Sequence, residues 1–321
     1  MNYLVGVDVG GTNIVCGVLD LEGHILDTLK EPTEASTGSI QVIQNIHRMI
    51  ETVLLRQNIS LEQVLAVGLG IPGFVDPLKG IAVLAVNLNW TQVPIAELLA
   101  QQLNLPVFVD NDVRMYVLGE ALKGAGQDYD HVLGVTVGTG LASAMVNHGR
   151  LYYGGSFMAG EMGHTPIEGV DQKCACGLIG CLEIFVSAPG MVRQAQRLIS
   201  ERNESILQAC NYNSAKISAN EISKAYDLGD SVAIQIFKQT GKLLARGLAN
   251  AIPILSPDVI VIGGGVAFAG ERLLAPLRRE LANLVYPDYL QRIEIKTAAW
   301  INEAGVIGSA LYAKQRVQHL Q

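Results

Sequence analysis

Short apolar runs and amphipathic segments alternate along most of this chain. Runs rich in β-branched and aliphatic residues predict strands at residues 3–9, 14–19, 25–29, 64–71, 105–109, 131–137, 141–147, 259–262 and 293–297. The first three runs are joined by short connections and predict a meander of three strands. Apolar residues at helical spacing predict helices over residues 40–55, 93–103, 231–255, 271–284 and 303–314. Strands that alternate with helices indicate an α/β protein built in layers.

Both halves of the chain contain the same pattern, in which a strand, a Gly-Thr loop and a second strand follow one another. A chain of 321 residues is long enough for two lobes with separate cores. We therefore predict a duplicated architecture with a nucleotide held between the lobes. The predicted N-terminal lobe comprises residues 1–115, with the closing helix in residues 303–321 packing back on it, and the predicted C-terminal lobe comprises residues 116–302.

The composition is that of a globular protein and narrows the range of partners. A net charge of -7, without a cluster of Lys and Arg, argues against nucleic acid binding. No apolar run reaches the ~20 residues that span a bilayer, and the N-terminus lacks the features of a signal peptide. We therefore expect no membrane partner and a cytoplasmic location. Three of the five cysteines lie within eight positions, which favours metal ligation in a reducing compartment over disulfides.

Two glycine-rich loops have the pattern expected of phosphate binding. D-V-G-G-T-N at residues 8–13 joins two predicted strands, and its backbone N–H groups and the Thr12 hydroxyl can face phosphate oxygens. Asp8, at the end of the strand, can hold a magnesium ion through water, and the alternative is a tight β-turn. V-G-T-G at residues 137–140 is the counterpart in the second half. A third cluster, I-G-G-G-V at residues 262–266, is compatible with an adenosine site or with a plain strand-to-helix turn.

Acidic and amide side chains follow the strand predicted at residues 105–109. V-D-N-D-V places Asp110 and Asp112 on either side of Asn111. A general base next to an amide that holds a substrate has this composition. The alternative is that Asp112 caps the helix that it opens, because Asp is a favoured N-cap, and both can hold at once.

A cluster of His and Cys residues predicts a zinc site. G-E-M-G-H at residues 160–164 is followed by C-A-C-G-L-I-G-C-L-E at residues 174–183. One imidazole and three thiols supply a closed tetrahedral set for a structural zinc ion: His164, Cys174, Cys176 and Cys181. The alternative is a chance grouping of buried thiols. Zinc on His164 would also fix the loop that carries Glu161, which suits the recognition of sugar hydroxyls by carboxylates.

Together these motifs resemble the ROK family (repressor, open reading frame, kinase). The resemblance covers nearly the whole chain in the family's order, through D-V-G-G-T-N, G-I-P-G, N-L-N-W, D-N-D, G-T-G, G-E-M-G-H, C-A-C-G-L-I-G-C-L-E, G-G-G-V and A-G-V-I-G-S-A. It implies an actin-like ATPase (ribonuclease H-like) fold with two lobes around a nucleotide cleft. ATP, Mg²⁺ and structural Zn²⁺ are the implied cofactors, a sugar is the implied substrate, and a homodimer is the implied assembly.

The resemblance also implies roles for individual residues. Asp112 would be the catalytic base for the C6 hydroxyl of a hexose. The implied sugar-binding residues are Gly73, Asn87, Asn111, Asp112, Glu161, His164 and Glu183. The implied phosphate, metal and nucleoside contacts are Asp8, Gly10, Gly11, Thr12, Asn13, Gly138, Thr139 and Gly264. The implied zinc ligands are the His164, Cys174, Cys176 and Cys181 set above.

Two features depart from the family pattern. Leu141, Ala142, Ser143 and Ala144 follow G-T-G, where many members have further glycines, so the second phosphate loop is expected to differ in detail. The first phosphate loop begins at Asp8, so we expect no N-terminal helix-turn-helix domain of the kind that family repressors carry.

The resemblance predicts an ATP-dependent hexose kinase of carbohydrate metabolism, most directly a glucokinase of glycolysis. The nearest alternative is a kinase for N-acetylglucosamine or N-acetylmannosamine, because N-L-N-W and the E-x-G-H block occur in both kinds. The alternative from another class is a non-catalytic sugar-sensing regulator. The intact Asp112 and the absence of a DNA-binding segment favour the enzyme.

Overall fold

The structure is a computed structural model that describes residues 2–168, 171–202, 205–208, 217–300 and 302–318. Internal contacts divide the chain into two compact units. The first unit comprises Met1–Asp130, Ala144–Ala159 and Ala299–Gln321, and the second comprises His131–Ser143 and Gly160–Ala298. The lobe boundary predicted between residues 115 and 116 stays a prediction, and the helix Asp112–Lys123 runs across that position.

Strands and helices are numbered here in chain order. The strands are β1 Tyr3–Val9, β2 Asn13–Leu19, β3 Ile25–Pro32, β4 Val64–Ile71, β5 Phe74–Asp76, β6 Ile81–Ala85, β7 Trp90–Val93, β8 Val107–Asn111, β9 His131–Val137, β10 Leu141–Asn147, β11 Arg150–Tyr152, β12 Val259–Gly263 and β13 Glu294–Thr297. The helices are α1 Ser39–Arg56, α2 Ile95–Leu103, α3 Asp112–Lys123, α4 Glu183–Val186, α5 Ala188–Arg202, α6 Ala219–Asp227, α7 Ser231–Leu255, α8 Glu271–Leu284, α9 Pro287–Leu290 and α10 Ala304–Gln318.

The first unit is organised around a five-stranded sheet with the order β3-β2-β1-β4-β8. Strands β1, β2 and β3 form the predicted antiparallel meander, and β4 and β8 join it in parallel. Side chains alternate between the faces of a strand. Val5, Val7 and Val9 of β1 accordingly lie in one buried cluster with residues of α1 and α2. Leu4, on the opposite face, clusters with residues of α10.

Helix α10 packs directly on the sheet of the first unit. The Ser309 hydroxyl donates a hydrogen bond of 3.2 Å to the Val7 carbonyl. A methyl group at Gly68 would lie 1.8 Å from the Ser309 carbonyl oxygen, and one at Gly308 would lie 1.7 Å from the Met115 carbonyl oxygen in α3. Glycine at both positions therefore allows three backbone segments to approach more closely than any side chain would permit.

The second unit contains the parallel strands β9, β12 and β13 of another five-stranded sheet, whose full order is β11-β10-β9-β12-β13. The long helix α7 buries one face, including Ile236, Phe237, Leu244 and Leu248. Among the described residues, no helix combines the length and the apolar character needed to cross a membrane.

Most predicted strands and helices are confirmed within a few residues, and the differences have local causes. The helix predicted from residue 93 begins at Ile95, because Val93 belongs to β7, where it pairs with Ala82 of β6, and Pro94 follows it. The strand predicted at residues 105–109 lies at Val107–Asn111. The small antiparallel sheet β5-β6-β7 was not predicted, since its short strands have no sustained alternation.

Candidate active site and metal centre

The first glycine-rich loop joins β1 to β2 in the first unit and is a closed turn. The Gly10 N–H donates to the Asn13 carbonyl at 2.9 Å. The Thr33 hydroxyl donates to the Gly10 carbonyl at 2.6 Å, and the Thr33 N–H donates to the Thr12 carbonyl at 2.9 Å. Since the Gly10 N–H is engaged within the turn, the exposed Gly11 and Thr12 and the partly exposed Asn13 are the residues of this loop that a phosphate can reach.

Asp8 lies at the end of β1, on the face that packs against α10. A methyl group at Gly305, in the first turn of α10, would lie 2.6 Å from Asp8 Oδ2. The carboxylate therefore occupies the space that the missing side chain of Gly305 leaves. Asp8 as a whole residue is only partly buried.

Asp8 and Asp112 form an acidic pair in the first unit. Burial raises the pKa of Asp8 to about 7, and the nearby charge of Asp112 contributes to this rise. Burial also raises the pKa of Asp112 to about 6, against hydrogen bonds to the carboxylate that lower it. Two carboxylates that are costly to ionise side by side are typical of a site that takes a cation or a proton.

Asn111 connects Asp112 to the neighbouring strand segment. Its Nδ2 donates to the Gly73 carbonyl and to Asp112 Oδ1, each at 3.0 Å. Its Oδ1 accepts from the Arg114 N–H at 3.2 Å, so Asn111 is the N-cap of α3. The alternative that Asp112 caps this helix is therefore wrong. Asp112 Oδ1 also accepts the N–H of Val113 at 2.9 Å, and the residue is partly exposed.

Asp110 is distinct from Asp112, although the two flank the same amide in the sequence. Asp110 is fully buried and forms an ion pair with Arg114 at 3.0 Å. A carboxylate engaged in this way has no free face for a sugar hydroxyl, so the structure separates the base candidate Asp112 from its neighbour.

Asn87 lies beside the first phosphate loop. It stands in the 3-10 turn Val86–Leu88, and a methyl group at Gly11 would lie 3.2 Å from its Cβ. The first unit thus brings together Gly11 and Asn87, Gly73 and Asn111, and Asp8 and Asp112.

In the second unit, the second glycine-rich loop lies against the third. The Gly138 N–H donates to the Gly140 carbonyl at 2.9 Å, which leaves Thr139 exposed at the tip of the turn. Gly264 has a φ of +83°, and a methyl group there would lie 2.6 Å from the Val137 carbonyl oxygen. Only glycine adopts this backbone without strain, and it allows the G-G-G cluster to approach the G-T-G loop.

Glu183, at the start of α4, also contacts the second phosphate loop. Its Oε2 accepts the Leu141 N–H at 2.9 Å, and a methyl group at Gly140 would lie 2.6 Å from the same oxygen. Glu183 therefore orders the residues that follow G-T-G, where the family pattern has further glycines. Its predicted contact with sugar hydroxyls stays a prediction.

The four predicted zinc ligands come together in the second unit. Their ligand atoms all lie within 4.8 Å of one another. Cys176 Sγ is 3.6 Å from Cys181 Sγ, and Cys174 Sγ is 3.9 Å from His164 Nδ1. Tetrahedral zinc with Zn–S bonds of about 2.3 Å separates two thiolate sulfurs by about 3.8 Å. The donor set and its spacing therefore fit a zinc ion.

The same imidazole has a second nitrogen that faces an acidic residue. His164 Nε2 is 3.8 Å from Glu161 Oε2, and both side chains are partly exposed. A ligating histidine usually offers its other nitrogen to a carboxylate or another polar group. This nitrogen and Glu161 could therefore meet a polar ligand if Nδ1 bound a metal ion.

Sequence reasoning missed the residues that shape the site from distant parts of the chain. Thr33 closes the first glycine-rich loop, and nothing in its local sequence distinguishes it from a surface residue at the end of a strand. Gly305 makes room for Asp8. It lies in the small-residue motif A-G-V-I-G-S-A, but the sequence alone does not show that Asp8 is its partner.

Comparison with known proteins shows what the whole chain is similar to. The sequence profile of the ROK family matches residues 4–316. A glucokinase of Halalkalibacterium halodurans is 35% identical over 99% of this chain and 97% of its own. The solved ROK family glucokinase of Streptomyces griseus, in complex with glucose and AMPPNP, has 30% identity and a TM-score of 0.83 over 98% of this chain and 100% of its own. A xylose repressor of Caldicellulosiruptor bescii is 26% identical over 95% of this chain but 76% of its own.

The chain has two α/β units, each with glycine-rich loops at the ends of its strands. Together with the similarity to the solved ROK glucokinase, this architecture shows the actin-like ATPase fold. Within that fold, the chain belongs to the ROK family.

Proposed function

We propose that this protein is a glucokinase, which transfers the γ-phosphoryl group of ATP to the C6 hydroxyl of glucose. The observation that carries the proposal is the arrangement around Asp112, which lies at the start of α3 beside Asp8 and accepts a hydrogen bond from Asn111. Full-length likeness to glucokinases from two sources supports the choice of sugar.

Asp112 has the role of general base in this proposal. A pKa of about 6 leaves most of this carboxylate ionised at neutral pH while keeping it basic enough to accept a proton. Asn111 orients the carboxylate, and its bond to the Gly73 carbonyl fixes the segment beside it. Such a base typically contributes about 10²–10⁴-fold to the rate.

Asp8 is proposed to hold magnesium through water, and Gly11, Thr12 and Asn13 to face the phosphates. Magnesium·ATP supplies the transferred group and neutralises charge on it when bound. The partial exposure of Asp8 and the cost of ionising it beside Asp112 support this assignment. Gly10 contributes by closing the turn, since its N–H is already used.

In the second unit, Gly138 and Thr139 are proposed to contact phosphate and Gly264 the nucleoside. The close approach of Gly264 to Val137 supports a shared site for these loops. Glu161, His164 and Glu183 are proposed to contact sugar hydroxyls, the role proposed for Asn87 and Gly73 in the first unit. A structural zinc ion on His164, Cys174, Cys176 and Cys181 would order the segment that carries them.

Partners and location remain part of the proposal. We propose a homodimer that works in the cytoplasm and binds no nucleic acid. The three clustered thiols are suited to a reducing compartment, where a Cys₃His zinc site is stable against oxidation.

A coupled assay of ADP release from Mg·ATP tests the proposal. Glucose, mannose, N-acetylglucosamine and N-acetylmannosamine are compared at matched concentrations. We expect turnover on glucose to exceed that on both N-acetylhexosamines. Turnover confined to an N-acetylhexosamine would move the function to the alternative kinase. Sugar binding without turnover on any of them would favour the sensing regulator, a class to which the xylose repressor belongs.

A further inference from the structure

Asp110 is a fully buried carboxylate whose oxygens are both engaged. Its Oδ1 accepts the Arg114 Nη1–H at 3.0 Å and the Asn111 N–H at 2.7 Å. Its Oδ2 accepts the Tyr153 hydroxyl at 2.7 Å. A buried charge is tolerated only when such partners compensate for its lost hydration. The loss of one partner therefore affects the others.

Tyr153 serves this network as a hydrogen-bond donor. Burial, and next the charge of Asp110, raise the pKa of Tyr153 well above its ordinary value. The hydroxyl therefore stays protonated at any physiological pH. The Arg114 guanidinium lies 5.3 Å from the centre of the Tyr153 ring. Arg114 therefore contacts both the Tyr153 ring and the Asp110 carboxylate.

Arg114 extends the network to the segment that follows Tyr153. Its Nη2 donates to the Phe157 carbonyl, and the Phe157 ring meets the Tyr153 ring edge to face at 5.4 Å. Ser156 and Phe157 both have positive φ, 54° and 60°. Consecutive non-glycine residues in this region are strained and persist only where surrounding contacts hold them.

The other end of the network is the turn that presents the base. The Asn111 N–H that Asp110 binds belongs to the residue whose side chain caps α3, bonds the Gly73 carbonyl and donates to Asp112. A change at Asp110 therefore alters the backbone that orients Asn111, and with it the carboxylate of Asp112.

We propose that Tyr153 is a positioning residue for the catalytic base Asp112, acting through Asp110 and Arg114. Tyr153 is not among the residues proposed to contact the substrate or the reacting atoms. It keeps the Asp110 carboxylate in the orientation that fixes Asn111. The inference rests on the proposed kinase function, and its tests are chosen to separate the two.

The kinetic test compares Tyr153→Phe with Tyr152→Phe. Tyr152 is the adjacent residue, half exposed at 51%, so it is the matched control. A small misplacement of a catalytic group can cost about 10²-fold in rate. We expect kcat on glucose to fall about 10- to 100-fold in Tyr153→Phe, with the KM values for glucose and ATP within about threefold of wild type. Tyr152→Phe should stay within twofold of wild type.

A second variant keeps the inference testable if Tyr153→Phe does not fold. Arg114→Lys keeps the positive charge beside Asp110 but cannot bridge Asp110 and the Phe157 carbonyl in a planar fork. The same loss of kcat without loss of affinity is expected. Equal kinetics for Tyr153→Phe and Tyr152→Phe would overturn the inference. The inference would also be overturned if activity fell only in proportion to the amount of folded protein in both Tyr153→Phe and Arg114→Lys, since a merely structural role predicts that result.

If the wild type does not phosphorylate glucose, that result refutes the proposed function alone. Hydrogen exchange then tests the positioning role of Tyr153. The amide of Asn111 is protected by Asp110 in this network. We expect faster exchange at Asn111 and through residues 153–159 in Tyr153→Phe, with no change at Asn111 in Tyr152→Phe. Unchanged exchange at Asn111 in Tyr153→Phe would overturn the inference, whatever the activity.

Discussion

The protonation of Asp112 determines the pH dependence that we expect. A general base accepts a proton only when it is ionised, and burial raises the pKa of Asp112 to about 6. We therefore expect kcat/KM for glucose, at saturating Mg·ATP, to rise about tenfold per unit below about pH 6 and to level off above about pH 7. A profile that stays flat down to about pH 5 would contradict this role for the carboxylate.

The ionised form of Asp8 is expected to lower the stability of the folded protein, and Asp8→Asn tests this expectation. Its pKa is about 7 when folded, against about 4 when unfolded. The folded state therefore binds the proton more tightly, and the stability from this group is lost as the pH rises from about 4 to about 7. We expect Asp8→Asn, without ligand, to raise the Tm at pH 8, with the gain disappearing towards pH 4.

The measurement for Asp8 is thermal denaturation at several pH values, with the exposed Asp128→Asn as the control. The control should show no gain at either pH. A gain of the same size at pH 4 and pH 8 would mean that the effect of Asp8→Asn does not come from ionisation.

At the same scale, the sequence predicts what is local and misses what is distant. Asp8, Asn111 and Asp112 were predicted because each stands beside a strand end within a short motif. Thr33 and Tyr153 were missed because their partners, Gly10 and Asp110, lie 23 and 43 residues away. Such partners follow only from the folded chain.

At the scale of elements, α10 packs against α3 at Gly308, and a substitution there tests this contact. A methyl group there would lie 1.7 Å from the Met115 carbonyl oxygen. Alanine favours a helix over glycine by about 1 kcal/mol, but overpacking costs typically about 1–3 kcal/mol. Because the obstacle is backbone in a second packed helix, we expect Gly308→Ala to lower the free energy of unfolding.

Chemical denaturation measures this effect, and Gly155→Ala is the matched control. A methyl group at Gly155 meets nothing within 4 Å, so we expect its free energy of unfolding to change little. Equal stability of the two variants would show that moving α3 and α10 apart costs no more than the helix propensity gained, about 1 kcal/mol.

The segment with the four predicted zinc ligands is the element that we expect to depend on a metal. We expect Cys176→Ser to lower both the zinc content and the Tm, because a structural zinc site contributes directly to folding. Leu178→Ser is the control, since Leu178 is 57% exposed between the ligands. Elemental analysis with thermal denaturation makes the comparison. Unchanged metal content in Cys176→Ser would contradict the assignment.

Prediction of the elements succeeded where one periodicity ran for a full strand or helix. Helices α1, α7 and α8 and strands β1, β4, β9 and β10 lie where apolar spacing placed them. Strands β5 to β7 and β11 are three to five residues long. Too few positions are available in them for alternation to stand out from a loop.

For the whole molecule, family membership leaves the function to be decided between kinases and regulators. The xylose repressor relative is longer than this chain, which covers 76% of it. The glucokinase relative matches at nearly full length. The proposed kinase mechanism requires the carboxylates of Asp8 and Asp112 with Asn111 beside them, whereas sugar binding alone requires no base.

The most direct test of the account is Asp112→Asn, with glucose binding and turnover measured on the same preparation. Asparagine keeps the size of the side chain but cannot accept the hydroxyl proton as a base. We expect the Kd for glucose, measured by calorimetry, to stay within about threefold of wild type and kcat to fall by about 10²–10⁴-fold. Turnover within tenfold of wild type would contradict the assignment of Asp112 as the base.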